Sequence, residues 1–247
     1  MLKFDAPDIH TASSREWIVT NGIGGFASST ICFANTRRYH GLLVAAMHPP
    51  TDRMVLCSRL DEQILIQGKT YDVASNFYPG TVHPRGYEWL SAFEKEPLHK
   101  AIFSGEDFNL SKTVFMLHSR NITVIEYVNQ GSEMIQLKIN PLISCRDYHG
   151  LLKKESDINF HIECFSEHVV VKRLKEHLPI SIYFDKGQFA EAKDWYYDVV
   201  YPAETERGLD DHEDLFCIGY LVASLDREEK LFVVLSAESS LPEGSPE

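Results

Sequence analysis

The residues best suited to polar chemistry lie in two short segments that are far apart in the sequence. The first segment, NTRRYHGLLVAA at residues 35–46, places Arg37, Arg38, Tyr39 and His40 directly before an apolar run. That run has no helical period and is typical of a buried strand. Charged groups beside a buried strand cost desolvation free energy unless an opposite charge pairs with them. The sequence therefore predicts an acidic partner, either within this chain or on a ligand or second domain.

The second segment, ETERGLDDHEDLF at residues 204–216, is the densest acidic cluster of the chain. One interpretation is a solvated surface loop. The other is that its carboxylates pair with the two arginines, and on this interpretation residues 37–40 lie beside the loop that carries Arg207, Glu213 and Asp214. Half-buried pairs of this kind add little stability. We therefore expect such a pair to hold a loop in shape at one end of the fold, where functional loops collect.

Composition excludes several classes of protein. The 247 residues carry a formal net charge of −12, which argues against nucleic acid or an anionic membrane surface as the main partner. A neutral ligand such as a sugar is compatible with this charge. The N-terminal MLKFDAPDIH lacks the apolar core of a signal peptide, and no apolar run approaches the roughly 18 residues of a membrane span. We therefore predict a cytoplasmic protein.

No cofactor or metal is predicted. The spacing Gly22-x-Gly24-x-x-Ala27 matches a dinucleotide fingerprint, but the β-branched SSTICFANT follows it where that motif requires a helix. These glycines more simply allow a tight turn or a close backbone approach. The histidines are scattered without metal-site spacing. The five widely spaced cysteines are interpreted as buried thiols.

Alternating apolar and polar residues dominate the chain and predict its fold class. Strands are expected on both sides of Gln67-Gly68, and turns near residues 119–121 and 129–132. No stretch of 12 or more residues carries a helical period. The sequence predicts an all-β protein, a large antiparallel β-sandwich with little helix, over residues 1–240. Residues 76–101 are expected to form a long surface excursion, and LPEGSPE at 241–247 a truncated linker.

Five segments together resemble one family over about residues 13–238. They are EWIVTNGIGGFASST, NTRRYHGLLVAA, DRMVLCSRLDE, NPLISCRDYHGL and WYYDVVYPAETERGLDDHEDLFCIG. In combination they are similar to the N-terminal domain of bacterial and archaeal-type glycogen debranching enzymes, the amylo-α-1,6-glucosidase family. Phe26 departs from the family pattern, which usually has tyrosine there.

The resemblance implies a non-catalytic, supersandwich-like N-terminal domain of an enzyme that hydrolyses α-1,6 branch points. A C-terminal (α/α)6 barrel of the same polypeptide would supply the catalytic carboxylates, and this chain would end where the barrel begins. The implied substrate is an α-glucan such as glycogen, limit dextrin or a maltooligosaccharide. The residues implied to contact the glucan or the barrel are Trp17, Asn21, Arg37, Arg38, Tyr39, His40, Arg146, His149, Arg207, Glu213 and Asp214.

The motif residues have three candidate roles. They could fix the interface with the barrel through charge-assisted pairs, contact sugar directly with Trp17 stacking on a ring, or serve a purely internal role. We favour the interface, and we expect the isolated chain to be inactive. The alternative from a different class is a free-standing carbohydrate-binding or scaffold module, with an aromatic platform formed by Trp89, Trp195, Tyr196 and Tyr197.

Overall fold

The structure is a computed structural model that describes residues 1–5, 7–155, 158–174 and 179–238. The predicted linker at 241–247 lies outside these residues. The first ten strands are β1 (Leu2–Lys3), β2 (Glu16–Thr20), β3 (Phe26–Thr30), β4 (Gly41–His48), β5 (Thr51–Ile66), β6 (Lys69–Asp72), β7 (Ser75–Tyr78), β8 (Thr81–Arg85), β9 (Leu90–Glu94) and β10 (His99–Ser104). They are followed by β11 (Asn109–Met116), β12 (Ile122–Asn129), β13 (Ile135–Asp147), β14 (Phe160–Cys164), β15 (His168–Arg173), β16 (Pro179–Phe184), β17 (Gln188–Val200), β18 (His212–Leu225) and β19 (Lys230–Ser236).

The described strands form two large antiparallel sheets and one small one. The nine-stranded sheet has the order β1-β9-β10-β11-β12-β19-β16-β15-β14. The eight-stranded sheet has the order β17-β18-β13-β5-β4-β3-β2, with β6 also paired to β5, and β7 pairs with β8 separately. Helix is limited to α1 (Ile9–Ser13), α2 (Pro202–Glu206) and a 3-10 turn (Gly86–Trp89). The predicted antiparallel sandwich with little helix is confirmed.

The core lies between the two large sheets, because alternate residues of each strand point to opposite faces. On β12, Ile125 and Tyr127 join the main core, while Ile122 and Val124 pack in a separate cluster. On β18, Phe216 joins the main core in the same way, while Leu215 and Cys217 do not. Neither α1 nor α2 has the length or apolar character of a membrane span.

The same alternation places two neighbouring acids of β5 in different surroundings. Glu62 accepts hydrogen bonds from Lys112 on β11 at 2.6 Å and from Tyr127 on β12 at 2.5 Å, so it joins the two sheets through the core. Asp61 is bound instead by Asn76 of β7, outside the sandwich. Strand β5 therefore directs the carboxylate of Glu62 into the core and that of the adjacent Asp61 toward the small sheet.

Two sequence predictions were wrong. Residues 76–101 are not a surface excursion. They contribute to the small sheet and to β9 and β10, with Tyr87, Leu90 and Phe93 buried. Cys164 is exposed, whereas the other four cysteines are buried as predicted. The prolines of the 76–101 segment hid its short strands, because proline within a run argues against a strand.

Candidate functional site: the motif end

The loop between β3 and β4 carries the arginine motif, and buried hydrogen bonds hold it from within. Asn35 accepts a bond from Ser29 at 2.7 Å and donates to the backbone oxygen of Ser58 at 3.2 Å. The ring of His40 accepts a bond from the backbone N–H of Thr36 at 3.1 Å through Nδ1. Burial, with a smaller effect of Arg37, lowers the pKa of His40 to about 3. His40 is therefore neutral at neutral pH, and it fixes the loop rather than moving protons.

Arg38 connects this loop to the segment around α2. Its Nε lies 3.6 Å from Oε2 of Glu204, a fully buried residue of α2. Its terminal nitrogens donate to the backbone oxygens of His149 at 3.1 Å and Asp210 at 2.7 Å. The backbone N–H of Arg38 also donates to Glu204, at 3.4 Å. The acidic segment therefore supplies the partner that the arginine motif requires.

Arg146 forms the second and more completely bonded pair. Its guanidinium donates two hydrogen bonds to the carboxylate of Glu213, one of them at 2.9 Å, and both side chains are buried. A further bond of 2.8 Å runs from Arg146 to the backbone oxygen of Arg38. Burial lowers the pKa of Arg146, but attraction to Glu213 outweighs that effect and the net shift is upward. Arg146 therefore remains charged and ties the loop before β4 to β13 and β18.

We call the group formed by Arg38, Arg146, His149, Glu204 and Glu213 the motif end. Glu213 also accepts bonds from the Tyr201 hydroxyl and from the backbone N–H of Leu152. Glu204 has the second cation Arg207 at 3.4 Å. Both carboxylates are committed to cations and donors. The motif end can therefore hold neighbouring groups in place, but these two residues offer no free general acid or base.

Tyr39 and Arg37 lie at the surface of the motif end. The Tyr39 hydroxyl is 3.3 Å from Nδ1 of His149, and its ring meets Tyr148 edge-on with centroids 5.4 Å apart. Arg37 donates to Glu16 of β2 at 2.7 Å, and both side chains are partly exposed. The fixed loop thus presents an aromatic ring and a cation outward.

The remaining members of the acidic segment have local partners. Arg207 pairs only with Glu204 among the described residues. Asp214 accepts bonds from the backbone N–H groups of Lys154 at 2.8 Å and Asp198 at 3.0 Å. Asp214 therefore holds the segment after β13 and the irregularity near the end of β17, where Asp198 has a φ of +53°, and among the described residues it has no bond to Arg37 or Arg38.

Trp17 and Asn21 do not belong to the motif end. Trp17 is 5% exposed, donates to the backbone oxygen of Thr30 at 2.8 Å and packs against Phe33 and His99, so its ring has no free face for a sugar. Asn21 follows the end of β2 opposite to Glu16, and it accepts bonds from the backbone N–H groups of Ile23 and Gly25.

The glycine segment beside Asn21 is a tight turn in close contact with its neighbour. Gly24 has a φ of +103°, and a Cβ there would lie 2.5 Å from the backbone oxygen of Pro50. A larger residue than glycine would not fit here, so the close backbone approach predicted from the sequence accounts for glycine at this position. The turn lies one strand length away from the motif end.

The predicted aromatic platform forms in part. Trp195, Tyr196 and Tyr197 of β17 line a cleft together with Tyr78 of β7. Trp89 belongs elsewhere, in contact with Tyr71 and Phe108.

The sequence interpretation did not single out Arg59 and Asp61 of β5. The signal was available, because SRLDEQILI places charges inside an apolar strand, the same anomaly that drew attention to Arg37. Arg59 is buried, and its Nε and one terminal nitrogen have no hydrogen-bond partner within the described chain. Charges within a buried strand are therefore the signal by which this second polar region could have been predicted, as the first one was.

Comparison with known proteins places the chain in one family. The family model for the glycogen debranching enzyme N terminal matches residues 15–232. No curated protein sequence matches the chain.

Among solved structures, a bacterial glucoamylase complexed with acarbose is 12% identical, with a TM-score of 0.42. The alignment covers 92% of this chain and 31% of the glucoamylase, so the chain spans less than a third of that protein. A GalM/aldose epimerase homologue from C. elegans is 10% identical, with a TM-score of 0.43, and the alignment covers 90% of this chain and 97% of that one. The family match, which spans nearly all of the described chain, is therefore the comparison that bears on function.

Proposed function

Because the chain belongs to the family of glycogen debranching enzyme N-terminal domains, we propose that it is the non-catalytic domain of an enzyme that hydrolyses α-1,6 branch points of glycogen or related α-glucans. The proposed partner is a C-terminal (α/α)6 domain of the same polypeptide, which supplies the catalytic carboxylates. The motif end is the surface that packs against that domain and completes the glucan site. The cytoplasmic location remains a prediction from the sequence.

The observation that carries this proposal is the way the motif end is built. Arg146 and Glu204 bind the backbone of Arg38 from two sides, so the loop before β4 has one fixed conformation. Buried ion pairs are a poor source of stability, because desolvation offsets their attraction. Their use here is easier to understand if the loop must present Arg37 and Tyr39 in fixed positions to another surface.

The test uses the long enzyme that contains this chain and its catalytic domain. Tyr39→Ala removes an outward ring and leaves Arg146 and Glu213 intact. We expect kcat/KM for release of glucose from a branched α-glucan to fall by about tenfold or more, because small misplacements at a domain contact disturb catalytic geometry. The Tm of the isolated chain should fall by only about 4 °C or less.

The matched control is Tyr183→Ala, a partly buried tyrosine on the nine-stranded sheet. It should leave kcat/KM unchanged. Unchanged activity in Tyr39→Ala, or an equal loss in both variants, would remove the motif end from function. The isolated chain should release no glucose, and robust release would refute the non-catalytic assignment.

A further inference from the structure

A cleft of about 450 Å³ lies beside the outer face of the eight-stranded sheet. Residues of β5, β13 and β17 and of the β7–β8 hairpin line it, including Asp61, Tyr78, Asn140, Trp195, Tyr196 and Tyr197. The volume is within the usual range for a small-ligand site. The motif end contributes no residue to this cleft, so the two regions are separate.

Asp61 is a buried carboxylate that the chain satisfies only in part. The residue is 9% exposed and lines the cleft. Its Oδ2 accepts a bond from Asn76 at 2.6 Å, but within the described chain its other oxygen has no hydrogen-bond partner. Arg59 lies on the same strand and forms no ion pair with Asp61. This second oxygen remains available at the cleft, where it can accept a hydrogen bond from a ligand hydroxyl.

The aromatic lining supplies flat apolar surface and additional hydroxyl donors. Tyr197 is 56% exposed. The Trp195 ring packs against Phe216 of the main core, with ring centroids 5.2 Å apart, so the rings that the cleft offers to a ligand are those of its tyrosines. Burial raises the pKa of both Tyr78 and Tyr196, so their hydroxyls keep their protons at neutral pH. Aromatic rings pack on apolar faces, and tyrosine adds a hydrogen-bonding group at the edge.

The charge of the cleft decides between ligand classes. Asp61 and Asp72 are opposed by Lys138, whose ammonium lies over the Tyr220 ring at 4.6 Å. A surplus of carboxylate disfavours an anionic ligand. A neutral, polyhydroxylated ligand with apolar C–H faces suits both the acceptors and the rings.

We propose that this cleft binds a neutral oligosaccharide, with Asp61 accepting a hydrogen bond from a sugar hydroxyl and Tyr197 stacking on a ring. The choice of an α-linked glucan as that oligosaccharide rests on the proposed function. The cleft would hold a glucan segment on this domain, away from the motif end.

The experiment titrates the 247-residue chain with maltoheptaose by calorimetry and by NMR. We expect saturable binding at millimolar concentration or tighter. Tyr197→Ala and Asp61→Asn should each raise Kd by about tenfold, the effect of losing one ring contact or one well-placed acceptor. Phe165→Ala is the matched control, since Phe165 is 49% exposed and lies outside the cleft, and its Kd should equal that of the wild type.

Absence of binding to both maltoheptaose and cellohexaose, or the same Kd in Tyr197→Ala as in the wild type, would overturn the proposal. Binding of cellohexaose without maltoheptaose would overturn the α-glucan assignment. Burial of Tyr197 by the catalytic domain, with no sugar binding, would make the cleft a domain contact instead. These outcomes are independent of the Tyr39→Ala assay, so either proposal can fail while the other stands.

Discussion

The motif end and the cleft both bury carboxylates, but the chain satisfies them to different degrees. Glu213 receives two bonds from Arg146, one from Tyr201 and one from the backbone of Leu152. Asp61 receives one bond, from Asn76, and has no ion pair among the described residues. Both residues lie on strands of the same eight-stranded sheet, so the difference arises from their neighbours and not from the type of element.

This difference indicates what each region can do. A carboxylate whose acceptor sites are all occupied, such as Glu213, cannot bind a ligand. It acts as part of a structural frame, by which we mean the buried ion pairs that hold the loop before β4 against β13 and β18. A half-satisfied carboxylate such as Asp61 retains an acceptor, and its ionised form is costly in the absence of a donor. Removing a charge should therefore have opposite effects on stability in the two regions.

The largest effect is expected at Glu213. Glu213→Gln leaves Arg146 charged and buried without its counter-ion, which should lower the free energy of unfolding by about 3–5 kcal/mol. Urea unfolding at neutral pH measures this change. Glu163→Gln is the control, because its partner Lys172 at 3.2 Å is solvent-exposed, and it should lower the free energy of unfolding far less than Glu213→Gln does. An equal loss of free energy of unfolding in Glu213→Gln and Glu163→Gln would show that the Arg146 pair does not stabilise the structure.

A gain in stability is expected from Asp61→Asn. Burial raises the pKa of Asp61 to about 6, and the nearby Arg59 and Lys112 only partly offset it while Glu62 adds to it. The folded-state pKa lies above the unfolded value. The contribution of the protonated Asp61 carboxyl group to the free energy of unfolding is therefore fully present below about pH 4 and is lost as the pH rises through about 6.

Asparagine cannot ionise, and it can still accept the bond from Asn76. The free energy of unfolding of the variant should therefore rise relative to that of the wild type by roughly 3 kcal/mol as the pH goes from about 4 to about 7. Unfolding at a series of pH values measures this change. A difference that stays constant with pH would show that Asp61 does not titrate in this window. Greater stability combined with weaker sugar binding would mark Asp61 as a ligand-binding residue.

The smallest effect is expected at the rim of the motif end. Arg37 pairs with Glu16 while both side chains are more than one-third exposed. Arg37→Ala should therefore change the free energy of unfolding by less than about 1 kcal/mol, and by less still at high salt. A loss comparable to that of Glu213→Gln would place Arg37 within the frame and weaken the view that it faces a partner domain.

Much of the fold could be predicted from local pattern. The hairpin at Gln67-Gly68 and the turns between β11, β12 and β13 follow from alternation and turn residues alone. Segment 76–101 was missed because its prolines and charges masked short strands. The bonds that make Ser75–Tyr78 a strand come from Thr81–Arg85 across a turn and are not encoded in its own alternation.

The sequence by itself determined that this chain is a β-sandwich and that Arg37 and Arg38 need acidic neighbours, because side-chain period and desolvation act locally. Only the tertiary structure decided which acid meets which cation. Glu213 pairs with Arg146, and Glu204 pairs with Arg38. That choice depends on the register of β13 against β18 and on where α2 comes to lie, and both bring together residues far apart in the chain. For the same reason only the fold could place Asp61 of β5 beside the aromatic residues of β17.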